Sequence, residues 1–239
     1  MTQYTDGTYL ANNPTWHTQD SGWKLSHVLR ALQEAGVNNF QSVCDMGCGS
    51  GELIKQWALQ NPPVKFTGYD ISPQAYTLCV QNNPKEVTFV TGEQVPKGPF
   101  DIALIIDVLE HIEQEEQWLC QVLPSAKYGV LHIPLQRCLN SFLRPQFLED
   151  ERRLVGHVHF YTPKDVEQML KRNGLKICSW HYTNIYLERP PELKTWKSRL
   201  GMKIRRFLHA ILPLRLAALT VGGYSVMCVV SLDKANVEA

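Results

Sequence analysis

Three aspartates, each at the end of an apolar run, are the first residues in this chain with chemistry to offer. Asp45 stands two places before the first of three alternating glycines in Asp45-Met46-Gly47-Cys48-Gly49-Ser50-Gly51. Asp70 closes the run from Lys65, 23 positions beyond Gly47, and Asp107 follows the most apolar run, Phe100 to Ile106. Glycines at such a turn let a flat ligand approach the backbone, because they remove side chains and permit left-handed φ values. A carboxylate at position 45 would repel the diphosphate that a dinucleotide turn holds, so it points to a ligand with a cationic end. At position 70, a carboxylate accepts hydrogen bonds from both hydroxyls of a ribose.

A second group of residues could move protons. Asp107, Glu110 and His111 fall at i, i+3 and i+4, on one face of a helical turn. In Gly156-His157-Val158-His159-Phe160-Tyr161-Thr162-Pro163, alternation puts His157, His159 and Tyr161 on one side. A histidine, with an unperturbed pKa of about 6.5, suits removal of a proton from a hydroxyl or an ammonium near neutral pH.

Positioning these groups requires a sheet whose strand ends converge. The runs Ser42 to Met46, 65–71, 87–92, 100–106 and 128–134 read as strands, and the segments after the first, second and fourth read as helices. A helix from Asp20 or Ser21 to about Ala35 carries Leu25, Val28, Leu29 and Leu32 on one face. Thr162 caps a helix from Pro163 to Asn173, residues 175–185 make a sixth strand and 223–232 a seventh. The pattern is α/β, one domain over residues 1–239: an N-terminal arm and helix at 1–36 and insertions at 135–162 and 186–222. Residues 135–156 depart from regular structure and read as an acceptor-site wall. The second insertion is basic from Lys194 to Arg206 and then apolar, a pattern that suits an anionic membrane surface or an acidic, lipid-like acceptor. The tail from Asp233 is polar and reads as frayed.

Composition narrows the class. The chain has 239 residues, a formal net charge of +1 and 44% hydrophobic residues, enough for one sizeable core but without the basic field of a nucleic-acid binder. The seven cysteines are scattered without a C-x-x-C pair and read as reduced core residues. With no signal peptide and no uninterrupted span of roughly 18 apolar residues, a soluble, cytoplasmic protein is expected.

Asp45 through Gly51 resembles the first motif of the class I S-adenosylmethionine-dependent methyltransferases, and the resemblance extends over about residues 20–232. It implies a Rossmann-like, doubly wound sheet of seven strands, the first six parallel and the seventh inserted antiparallel between the fifth and sixth. S-adenosyl-L-methionine is then the cofactor and S-adenosyl-L-homocysteine the product. By resemblance, Asp45, Gly47, Cys48, Gly49, Asp70, Ile71, Asp107 and Val108 line the cofactor site, and Glu93 and Gln94 meet the adenine amino group. An arm like that bearing Tyr9, Trp16 and Lys24 serves such enzymes as a lid on the substrate, and Tyr161 joins that side. His157, His159 and His111 are the candidate catalytic residues. In the ubiquinone-biosynthesis O-methyltransferases an acid–acid–His set similar to Asp107, Glu110 and His111 binds a divalent metal; no metal is expected here, because the same pair occurs widely without one. The expected activity is methyl transfer to oxygen, ahead of nitrogen, of a small molecule. Two other readings stay open: a non-catalytic cofactor-binding regulator, and a nicotinamide oxidoreductase, which Asp45 disfavours.

Overall fold

The computed structural model describes residues 4–13, 16, 18–61, 63–81 and 83–232. His17 of the arm and the tail from Asp233 lie outside them. A seven-stranded sheet forms the centre: β1 (Ser42–Met46), β2 (Lys65–Asp70), β3 (Val87–Thr91), β4 (Phe100–Ile106), β5 (Ala126–Leu135), β6 (Leu175–Asn184) and β7 (Tyr224–Leu232). Their order is β3-β2-β1-β4-β5-β7-β6. Strands β1 to β5 pair in parallel, and β7 runs antiparallel to both β5 and β6. The expected topology, including the antiparallel seventh strand, is the one observed.

Eleven helices accompany these strands among the described residues: α1 (Thr8–Asn12), α2 (Ser21–Glu34), α3 (Glu52–Gln60), α4 (Pro73–Cys79), α5 (Glu115–Val122), α6 (Leu139–Phe142), α7 (Pro145–Asp150), α8 (Pro163–Arg172), α9 (Ile185–Glu188), α10 (Trp196–Ile211) and α11 (Leu214–Val221). Both faces of the sheet are covered, so its central strands are apolar at successive positions. Val43, Ile102 and Leu104 face one layer with Leu25 and Val28 of α2 and Trp57 of α3. Cys44, Met46, Ile105 and Leu131 face the other, with Leu119 of α5 and Val166 and Leu170 of α8. The start of α8 is fixed locally: Asp165 N donates to Thr162 Oγ1, Thr162 N donates to Asp165 Oδ2, and Pro163 sits at the first helical position.

Three expectations need correction. Residues 135–156 are not irregular: they form α6, α7 and a π turn over Glu151–Val155, each too short to show a helical period. Asp107, Glu110 and His111 do not share a helical turn, because Asp107 has φ 55° and a 3₁₀ turn begins only at Leu109. Nor do the cysteines all lie in the core: all seven are free, but Cys120 is exposed and Cys48 and Cys178 are half-buried.

Candidate functional site

Between β1 and β4 the order of crossovers reverses, and this is where open α/β sheets leave a crevice beyond their carboxyl ends. A cavity of about 1270 Å³ occupies it. That exceeds the roughly 300–1,000 Å³ of a pocket for one drug-sized ligand, so it has room for two reacting molecules.

The glycine turn shapes one wall. Gly47 has φ 85°, and a Cβ there would stand 2.7 Å from a methyl of Val108. Its amides are engaged within the fold: Gly47 N and Cys48 N donate to Tyr69 O at 2.7 and 2.9 Å, and Gly49 N donates to Asp70 Oδ2 at 2.8 Å. These three N–H groups are therefore not presented as a phosphate-binding nest. Beside them stand two buried carboxylates that line the cavity, Asp45, 3% exposed, and Asp70, 8% exposed. Burial and the neighbouring Asp70 push Asp45 up to about 7, with Lys24 only partly offsetting them. Burial also raises Asp70 to about 6, against the pull of the Ser72 and Gly49 amides. Such a pair takes a ligand with a cation and hydroxyls, and resists a diphosphate. Ile71, Glu93, Gln94, Cys48 and Val108 line the same cavity.

Asp107 is held from two sides. Lys24 Nζ lies 2.7 Å from its Oδ2, and His132 Nδ1 lies 2.6 Å from its Oδ1. Burial alone would raise this carboxyl, but His132 and Lys24 outweigh burial and hold it well below the usual carboxylate range. His132 Nε2 is in turn 3.0 Å from Thr183 Oγ1. The sequence reading missed His132. Its signal was a lone polar residue near the end of an apolar strand, which parallel pairing sets opposite Ile106, one residue before Asp107.

Glu110, His111 and His157 also converge, each offering one ligand atom, with these atoms within 4.8 Å of one another. Glu110 is 1% exposed and its Oε2 has no hydrogen-bond partner among the described residues; burial, then the charge of Asp107, drives its pKa well above the usual value. His157 Nδ1 lies 2.9 Å from Gln136 Oε1 and 3.4 Å from Glu151 Oε2. His111 Nδ1 lies 2.7 Å from Tyr4 Oη. These three groups can share a proton or hold a divalent cation. Asp107 is not among them, since its two oxygens already face Lys24 and His132.

The N-terminal arm packs across the cavity through an aromatic chain. Tyr4 and Tyr9 have ring centroids 4.9 Å apart, as do Tyr9 and Trp16, and all three line the cavity. A Cβ on Gly49 would be 3.3 Å from the Trp16 ring. Trp16 Nε1 is buried without a hydrogen-bond partner among the described residues.

Two candidates fall elsewhere. Residues 156–162 form no strand, because Val158 N and His159 N both donate to Glu110 O and bend the chain. His159 turns away to Ile112 O at 3.0 Å and Glu115 Oε2 at 2.9 Å. Tyr161 is 6% exposed in the apolar layer under β5. Neither lines the cavity.

Comparison with known proteins bears on the fold and the family. Ubiquinone biosynthesis O-methyltransferase, mitochondrial, from Schizosaccharomyces pombe is 28% identical over 132 residues, 47% of this chain and 47% of that protein, so the match spans about half of that relative. Magnesium protoporphyrin IX methyltransferase from Synechocystis PCC 6803, solved with bound SAH, superposes with a TM-score of 0.57 at 17% identity, covering 93% of this chain and 86% of that one. A SAM-dependent methyltransferase from Archaeoglobus fulgidus gives 0.57 at 16%, covering 88% and 94%. These two likenesses show the fold. A methyltransferase-domain family model matches residues 16–179, and on that match the chain belongs to the class I S-adenosylmethionine-dependent methyltransferases.

Proposed function

We propose that this protein transfers a methyl group to an oxygen, ahead of a nitrogen, of a small-molecule acceptor. The observation that carries the reading is the placement of Glu110, His111 and His157 on the wall of the cavity that also holds Asp45 and Asp70. When bound, the cofactor supplies an activated methyl on a positively charged sulfur. Asp45 would hold its ammonium, Asp70 its ribose hydroxyls, and Glu93 and Gln94 its adenine amino group; these assignments follow the donor chemistry and the family resemblance. Lys24 and His132 keep Asp107 ionised beside that site.

An in-line displacement needs acceptor and donor held in line, and a neutral hydroxyl must also lose its proton. His157 and His111 accept that proton, with Gln136, Glu151 and Tyr4 fixing their rings. Tyr4, Tyr9 and Trp16 exclude water. His159 and Tyr161 have no part in this reading, since they lie off the cavity. The cavity's room and the acidic lining favour an uncharged or partly cationic acceptor over a polyanion.

The test is turnover to S-adenosyl-L-homocysteine with a panel of phenols, alcohols and amines, with and without a chelator. Turnover with hydroxyl acceptors that survives chelation is expected. Turnover abolished by the chelator and restored by a divalent cation would replace the histidine base with a cation held by Glu110, His111 and His157. Cofactor binding without turnover on any acceptor would favour the regulatory reading.

A further inference from the structure

We propose that the outer face of α10 docks this enzyme on an anionic lipid bilayer. Trp196, Leu200, Ile204, Phe207 and Ile211 recur every three or four residues and are 48–69% exposed, forming one line along the helix. Fifteen residues of rise make the line about 22 Å long. Lys197, Arg199, Lys203 and Arg206 flank it, and no acidic residue lies between Lys194 and Arg215, although the whole chain carries only +1.

The opposite face of α10 is fastened to the sheet edge. Met202 is buried, His209 Nδ1 lies 2.8 Å from Tyr224 Oη, and Arg205 stacks on Tyr186 while Nη1 donates to Gly222 O. The apolar line is thus held outward by its own helix. It continues through Leu214 and Leu216 of α11 towards Phe142 at the end of α6 and Leu143 just beyond it, which are 80% and 69% exposed. Ile185 and Ser225, next to the anchoring tyrosines in sequence, line the cavity, so α10 is anchored beside the site.

Charge decides the occupant. A second copy docking by two-fold symmetry would set the basic flanks against each other with no acid on α10 to relieve them. Nucleic acid would neutralise the flanks but leave the Phe and Ile side chains in water. A bilayer surface covers both, with apolar side chains in the headgroup boundary and the basic flanks on anionic headgroups. Among the described residues no helix is long and apolar enough to cross a membrane, so the contact is interfacial.

The full chain is sedimented with phosphatidylcholine vesicles, with and without about 30 mol% phosphatidylglycerol, an anionic fraction large enough to attract a polybasic helix. Binding to the anionic vesicles only, reduced about tenfold by Ile204→Ser with Phe207→Ser and similarly by Lys203→Glu with Arg206→Glu, is expected. S-adenosylmethionine affinity should be unchanged in both variants, which shows that they remain folded. Wild-type protein that ignores anionic vesicles, or variants that bind them as well as wild type, would overturn the proposal. A dimer abolished by the same substitutions, without vesicle binding, would assign the face to a second copy and equally overturn it.

Discussion

Asp45→Asn should lose S-adenosylmethionine affinity about 30- to 100-fold and, in the same protein, raise the melting temperature of the ligand-free form by several degrees. The two effects share one cause. Asp45 is a buried carboxylate whose folded-state pKa is raised to about 7 by burial and by Asp70. A raised carboxylate favours the folded state when protonated, so its contribution is full below the unfolded value of 3.8 and is lost as pH rises through about 7. At pH 8 the ligand-free protein therefore carries a costly charge that Asn lacks, and the stability gap between the two proteins should be wider at pH 8 than at pH 5. Binding a cation offsets that cost, and Asn cannot supply the charge. Calorimetric melting at the two pH values, alongside cofactor titration, reads both effects. An Asp45→Asn protein less stable than wild type at pH 8 would show that the carboxylate is a structural partner and not a site held ready for a ligand.

His157→Ala and His111→Ala should each lower kcat about 10²- to 10⁴-fold while leaving the dissociation constant for S-adenosylmethionine within about twofold. His157 sits between Gln136 and the cavity, and His111 touches its ring from the side at 4.7 Å between centroids. Substituting both should cost little more than substituting one, because the rings act on the same proton. Steady-state kinetics on the acceptor found by screening provides the check. Loss of cofactor binding in either variant would move these histidines from the acceptor side to the cofactor side. His159→Ala, by contrast, should change turnover little, since its ring is committed to Ile112 O and Glu115.

What could be read from the sequence was local. The corner from β1 into α3 was legible because glycine spacing and a preceding carboxylate are chemistry written in seven consecutive residues. The aspartates at the ends of β1, β2 and β4 followed, since a parallel sheet gathers its carboxyl ends. His132 was not legible: one histidine in an apolar strand has no pattern, and its role depends on the β4–β5 register. The convergence of Glu110 with His157 joins residues 47 positions apart through a bent segment, to which alternation does not apply. Alternation placed His159 and Tyr161 beside His157, although only His157 lines the cavity. In 186–222 the basic and apolar composition was visible, but the stripe on α10 emerges only once its inner face is known to pack on Tyr224 and Gly222.

Isothermal titration of the wild-type protein with S-adenosylmethionine at pH 8 and at pH 6 asks whether Asp45 and Asp70 hold the cofactor. The buried Asp45 and Asp70, at about 7 and about 6 when ligand-free, predict a single site of micromolar affinity at pH 8. At pH 6 both become partly protonated, and the affinity should fall about tenfold, the loss outweighing the gain from fuller protonation of the ligand's own amine. No binding at pH 8, or an affinity indifferent to pH, would contradict the assignment of these two carboxylates to the cofactor.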